Sequence, residues 1–174
     1  QDGVKVRASA GAASFRRKER LEGCLREAEA QVQRLAKERE HPDPAVSARA
    51  RAARERAAQE RAARVEAALR HMPALAAAKE RQERTLAKEA RERVTEPRVS
   101  TTDPEARVMK MADGGFRPAY NVQFATDAGS GVIVGVGVVN QGNDSGQAPP
   151  MEEQVAQRSQ RHPKDYLVDG GYAQ

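Results

Sequence analysis

Apolar residues in the first half of the chain recur at helical spacing. Leu21, Leu25, Ala28, Val32 and Leu35 follow one another at steps of about four and three, which stacks them along one seam of a helix. Between Phe15 and Arg98 no glycine follows Gly23, and Ala, Arg and Glu, all strong helix formers, dominate. Proline lacks an amide donor and clashes with the preceding turn, so Pro42 and Pro44 around Asp43, and Pro73 after Met72, mark breaks. The pattern predicts three helices, at about 15–40, 45–71 and 74–95. The second carries the seam on with smaller residues, Val46, Ala50, Ala53 and Ala57, then Val65, Leu69 and Met72. An antiparallel hairpin would bury both seams, although neither sustains the three or four heptads of a free-standing coiled coil.

After Pro97 the period changes. Tyr120 to Thr126 and Gly131 to Val139 are rich in β-branched or aromatic residues, with Asp127, Ala128, Gly129 and Ser130 between them, which is a hairpin pattern. Val132, Val134, Val136 and Val138 alternate with Ile133, Gly135, Gly137 and Val139, so we expect a strand covered on both faces. Pro150 to Arg158 reads as a short helix, and Asp165 to Val168 as a further strand ending at Asp169, Gly170 and Gly171. Val4-Lys5-Val6, near the other end, is also strand-like. The fold class is therefore α/β (α+β), divided into a first strand at 1–14, a helical segment at 15–98 and the remaining β-rich part at 99–174.

Charge follows the same division, with roughly +8 over residues 1–98 and roughly −3 over 99–174. Aromatic residues are 3% of the 174, charged residues 32%, and the mean hydropathy is −0.80, so one compact globule made from the whole chain is not expected. Cys24, the single cysteine, has no intramolecular partner, which excludes a disulfide-stapled secreted scaffold and makes a cytoplasmic setting the expectation. No apolar run is long enough to span a bilayer, and no membrane partner is expected. The chain starts at Gln1 within a strand-like run and stops at Gln174 just past another, so it reads as a piece of something longer.

Asp169 is the sharpest chemical candidate. A carboxylate at the end of an apolar strand, followed by two glycines, sits at a sheet edge with open space around it, where metals and phosphates bind. Asp2, followed by Gly3 and a strand, has the same form, and together they make a candidate metal pair. Each also reads as an ordinary turn residue. Arg49, Arg51, Arg54, Arg56, Arg61 and Arg64 are placed either to neutralise phosphates or to form a solvated face paired with Glu55, Glu60 and Glu66. Lys5 and Arg7 share a strand with Asp2 and are the better DNA-binding candidates, with strand-edge solvation as the alternative. His41, His71 and His162 read as surface residues, and Cys24 as helix packing.

Three blocks in order then carry a resemblance. Asp2-Gly3-Val4-Lys5-Val6-Arg7-Ala8 resembles the strand bearing the first aspartate of DDE-type transposases of bacterial insertion sequences. Thr102-Asp103-Pro104-Glu105-Ala106-Arg107 and Gly115-Phe116-Arg117-Pro118-Ala119-Tyr120-Asn121-Val122-Gln123 resemble the approach to that family's second strand. Leu167-Val168-Asp169-Gly170-Gly171-Tyr172 resembles the motif of its second aspartate. Val4 stands where the family commonly has Thr, and Gln174 precedes any region that could supply a third acidic residue.

The resemblance implies a partial RNase H-like mixed sheet, with a meander of three strands and a parallel strand after a helix. The basic helical hairpin becomes an insertion between the first and second strands. It also implies two-metal-ion cleavage and strand transfer of DNA, with two Mg²⁺ or Mn²⁺ ions between carboxylates. Asp2 and Asp169 carry over as catalytic metal ligands, Lys5, Arg7, Arg49, Arg54 and Arg61 as DNA contacts, and insertion-sequence ends as the DNA partner. Asp127 and Asp144 do not carry over, since they fall in a hairpin turn and a loop and read as turn caps. Paired DNA ends imply a homodimer near the bacterial nucleoid, and no small-molecule cofactor. A piece without the third acidic residue is expected to cleave poorly. The competing reading is a non-catalytic helical DNA- or protein-interaction module in which the small sheet is only a support.

Overall fold

The computed structural model describes residues 1–85 and 96–172. The chain divides into two compact units, one of Gln1–Ser9 with Ala106–Gln174 and the other of Ala10–Glu105. The described residues form three α-helices and antiparallel sheets, a mixed α+β chain. No helix among them is long and apolar enough to cross a membrane.

In the helical unit, α1 spans Lys18–Glu38 and α2 spans Ala48–Thr85. Leu21 of α1 packs with Val65, Ala68 and Met72 of α2, while Val32 and Leu35 at the other end of α1 line a groove with Glu55 and Gln59. The pair is therefore antiparallel, as the seams require. Two details differ from the sequence reading. Helix α2 runs through Pro73 instead of breaking there. An internal proline costs about 3 kcal/mol, but Val65, Ala68 and Met72 are all at most 4% exposed, and burying them rewards a continuous helix. The remainder of the expected third helix, 86–95, lies outside the described residues. The small-residue seam also shifts, because Ala53 and Ala57 are exposed and Ala58 is buried in their place.

Phe15–Arg16, expected to begin the first helix, is instead a short strand, β2, pairing antiparallel with β3, Val99–Ser100. Val99 joins the helical core. Ser100, fully buried, ties the junction through its hydroxyl, 2.8 Å from Ser14 Oγ and accepting from the amides of Thr102 and Asp103 at 3.1 and 3.0 Å.

The other unit is built on β5, Phe116–Thr126. Strand β1, Asp2–Arg7, lies along one side of it. On the other side, β4, Arg107–Lys110, takes the first half and β6, Ile133–Val139, the second half, all antiparallel. The hairpin joining β5 to β6 is where the sequence places it. Ser130 donates from its amide and hydroxyl to Asp127 Oδ2 at 2.8 and 2.6 Å, so Asp127 is a turn cap as expected, with its carboxyl held below the usual range by those bonds.

Two expectations for this sheet fail. It is wholly antiparallel rather than mixed, because Asp165 to Val168 forms no strand: the described contacts there include the Gln1 amino group donating to Leu167 O at 2.8 Å, but no ladder. Nor is β6 covered on both faces. Helix α3, Ala148–Ser159, packs Met151 and Val155 against Gly135 and Gly137, while Val136 and Val138 on the opposite face are 40% and 62% exposed. Helix α3 rises against the glycines because a missing Cβ admits it closely.

Candidate functional site

Along β5 the residues Ala119, Asn121, Gln123 and Ala125 alternate toward one face and are buried. Two of the four are amides, each 1% exposed. A buried amide must find partners or cost about 1–3 kcal/mol per unmet group, and both find the same one. Gln123 Nε2 donates to Asp144 Oδ1 at 2.6 Å, and Asn121 Nδ2 donates to the same oxygen at 2.8 Å.

Asp144 is brought there by the loop between β6 and α3. Its carbonyl accepts from the Gln147 amide at 3.0 Å, and Gly146 turns with φ +75, a conformation open to glycine at little cost. Pro149 and Pro150 then start α3, where a missing amide is harmless. Space for the carboxylate comes from Gly3, which pairs with Gln123 in the ladder. A Cβ at Gly3 would stand 2.6 Å from Gln123 Nε2 and 2.9 Å from Asp144 Cγ. Asp2-Gly3 is thus strand rather than turn, and the glycine is a gap filled by two polar side chains.

Gln123 has a second set of bonds. Its Oε1 accepts from Gln1 Nε2 at 2.8 Å and from the Tyr172 hydroxyl in a short contact. Gln1 Oε1 in turn accepts from the Tyr166 hydroxyl at 2.7 Å. Tyr172 is 6% exposed at the end of the short 3₁₀ turn Gly170–Tyr172, which Asp169 caps by accepting from the Gly171 amide at 2.8 Å. Burial pushes the Tyr172 phenol up, and the charges of Asp144, Asp2 and Asp169 raise it further. Three carboxylates from distant parts of the chain therefore bear on one phenol. Among the described residues, however, no three of His, Cys, Asp and Glu are grouped closely enough to hold a metal ion.

The expected site residues fall as follows. Asp2 begins β1 opposite Phe124 and lines an open groove of about 400 Å³ with Gln1, Phe124, Thr126 and Ile133. Its Oδ1 accepts from the Gly3 amide at 2.8 Å. Asp169 stands in the segment that caps Tyr172, and the Asp144 and Asp169 carboxylates both lie near Gly171. Lys5 and Arg7 alternate with Asp2 and share the Gly3 side of β1. Arg49, Arg54, Arg56, Arg61 and Arg64 lie exposed on α2, and among the described residues none forms an ion pair. Glu66 pairs with Arg70 at 3.0 Å rather than with the arginines before it. Arg51 turns back to the Val46 carbonyl. Cys24 packs half-buried against the helical core, and His41, His71 and His162 are at the surface or half-buried.

No protein-family model, curated protein or solved structure matches the chain.

Sequence reasoning misses Asp144, Asn121, Gln123 and Tyr172. A signal is present: Asn121-x-Gln123 puts two amides at period 2 inside an apolar strand, which is how a buried polar row reads. What it does not supply is the loop residue that the amides meet.

Proposed function

We propose that the chain is part of the catalytic core of a DDE-type DNA transposase, of RNase H-like type, acting on phosphodiester bonds. The observation that carries this reading is that Asp169, one of the two aspartates the resemblance singles out, lies with Asp144 beside Gly171, in a segment tied through Leu167 O to the Gln1 amino group next to Asp2. The donor set supports it: carboxylates with amide oxygens, and no His or Cys among them, suit a hard divalent ion such as Mg²⁺ or Mn²⁺. Asn121 Oδ1, buried and without a hydrogen-bond partner among the described residues, adds one more oxygen of that kind beside Asp144. Asp2 and Asp169 would hold the cation, which when bound supplies polarisation of the phosphodiester and of the attacking hydroxyl.

The chain's own residues have separable tasks in this reading. Asp2 faces the groove with Phe124, Thr126 and Ile133, where a DNA strand has room to enter. Lys5 and Arg7, two and four residues beyond Gly3 on the same strand, provide cations for flanking phosphates. Gly170, beside Asp169, has open space where a side chain would stand, so a phosphate can come near the backbone there.

The test is a calorimetric titration of the protein with Mn²⁺ and with Mg²⁺, comparing wild type with Asp2→Asn and Asp169→Asn. Each substitution should weaken binding at least tenfold, which is about 1.4 kcal/mol. Binding indifferent to both would sink the reading.

The exposed arginines of α2 favour a second role, a helical surface for DNA. Replacing Arg49, Arg54 and Arg61 with Ala should lower DNA affinity at low salt and reduce the salt slope by about 0.9 for each phosphate no longer neutralised. An unchanged slope would leave these residues as a solvated face.

A further inference from the structure

Gln123 occupies a singular place in the sheet. It lies on the central strand, is 1% exposed, and pairs in the ladder with Gly3 on one side and Gly137 on the other. Its amide nitrogen donates to Asp144 and its amide oxygen accepts from Gln1 and Tyr172. Of these partners, Gln1 precedes Asp2 directly, Asp144 is itself one of the carboxylates, and Tyr172 follows Asp169 by three residues. The segments that carry the three carboxylates thus meet at one side chain.

The donors all point one way. The Tyr166 hydroxyl donates to Gln1, Gln1 and Tyr172 donate to the Gln123 oxygen, and the Gln123 nitrogen donates to Asp144, where Asn121 also donates. A neutral amide at position 123 satisfies both ends, since it accepts from a phenol while donating to a carboxylate. A hydrophobic residue of equal size would fill the space and leave Asp144 and Tyr172 without that bond. The segment from 165 to 169 has no strand ladder to place it, so hydrogen bonds to Gln1 and Gln123 take over that task.

We infer that Gln123 is the positioning residue of the site: its side-chain amide holds Asp144 and the Asp169-bearing segment in register with Asp2. The inference rests on the carboxylate site proposed above for its function, but its geometry is tested without a metal. Of the titratable groups, Asp144 and Tyr172 are bonded to the amide, the charges of Asp2 and Asp169 and the Tyr166 phenol act on Tyr172, and Lys5 stands on the same side of β1.

The experiment uses the full chain and two variants, Gln123→Met and Gln123→Glu. In Gln123→Met the backbone amide signals of Gly170, Gly171 and Tyr172 should move in ¹H–¹⁵N spectra. A folded Gln123→Met protein with those signals unchanged overturns the inference. Should Gln123→Met fail to fold, Gln123→Glu decides. A protonated carboxyl group at this position can donate to Asp144 and accept from Tyr172, whereas an ionised one faces Asp144 as a like charge. The Gly170–Tyr172 signals of that variant should match wild type near pH 5 and depart from it near pH 8; signals that ignore pH across that range overturn the inference. Absence of Mn²⁺ binding by wild type would instead count against the function proposed above and leave these metal-free readouts standing.

Discussion

Gly3→Ala is the most demanding test of the packing around the site. A methyl group there would lie 2.6 Å from Gln123 Nε2 and 2.9 Å from Asp144 Cγ, and nearer still to Asp144 Oδ1. Side-chain ends often yield cheaply, but these two are bonded to each other at 2.6 Å, and Asn121 and Tyr172 hold them from behind. Overpacking of this kind costs about 1–3 kcal/mol, and a disrupted hydrogen bond to a carboxylate about 1.5–3 kcal/mol. Alanine returns about 0.4–1 kcal/mol by restricting the unfolded chain. The net expectation is a loss of about 3 kcal/mol, which in a unit of this size lowers Tm by about 10–20 °C. Thermal unfolding followed by circular dichroism measures it. Gly11→Ala is the control: a Cβ there meets nothing within 4 Å and φ is −85, so its stability should stay level or rise by up to about 1 kcal/mol. A Gly3→Ala protein within about 0.5 kcal/mol of wild type would refute the crowding on which the expectation depends.

Other outcomes follow from the same contacts. Gly135→Ala places a Cβ 2.6 Å from Met151 Sδ and 3.1 Å from Val155 Cγ2, so it should destabilise by about 1–3 kcal/mol, and Met151→Ala in the same chain should recover part of that loss in a double-mutant cycle. Ser100→Ala leaves two amides and the Ser14 hydroxyl without their buried partner, and chemical denaturation should show a loss of about 1–3 kcal/mol. Tyr172 should ionise later than an ordinary tyrosine in a titration followed by absorbance near 295 nm. Because its phenol is raised in the folded state, its share of stability is complete below about pH 10 and is lost as pH rises further. Tyr172→Phe should flatten that alkaline loss; an unchanged alkaline profile would contradict the assignment.

Helix α1 and the β5–β6 hairpin can be read from the chain because their signals are local. A seam at steps of three and four fixes a helix face, and a run of Asp, Gly and Ser between alternating strands fixes a turn. Pro73 shows the limit of such signals. Its local cost is real, but the burial of Val65, Ala68 and Met72 outweighs it, and that burial depends on α1 being alongside. Strands β2 and β3 escape the sequence for a related reason. Two residues each carry no period, and the pairing of Phe15 with Ser100 joins positions 85 apart in the chain.

The candidate site divides in the same way. Asp2 and Asp169 are legible as carboxylates beside glycines, and Lys5 and Arg7 as cations on the first strand. Asp144 reads as a turn cap because nothing near it in the chain says where its carboxylate goes. Its partners are Asn121 and Gln123, more than 20 residues away, and the space it fills is left by Gly3, at the other end of the chain. Glycine beside aspartate suggests a turn when read alone; only the ladder shows that this one is an opening in a strand.

By itself, the sequence determined what depends on neighbours along the chain: the helical first half and the seam of its first helix, the hairpin turn at Asp127, the uneven charge, and the residue types able to bind a cation. The tertiary structure decided what depends on neighbours in space. It chose which face of β6 is covered, carried α2 through its proline, and brought Gln1, Asp144 and Tyr172 to one amide. The physical reason is that periodicity and propensity act over a few residues, whereas burial and the pairing of buried polar groups act between segments that only the folded chain brings together.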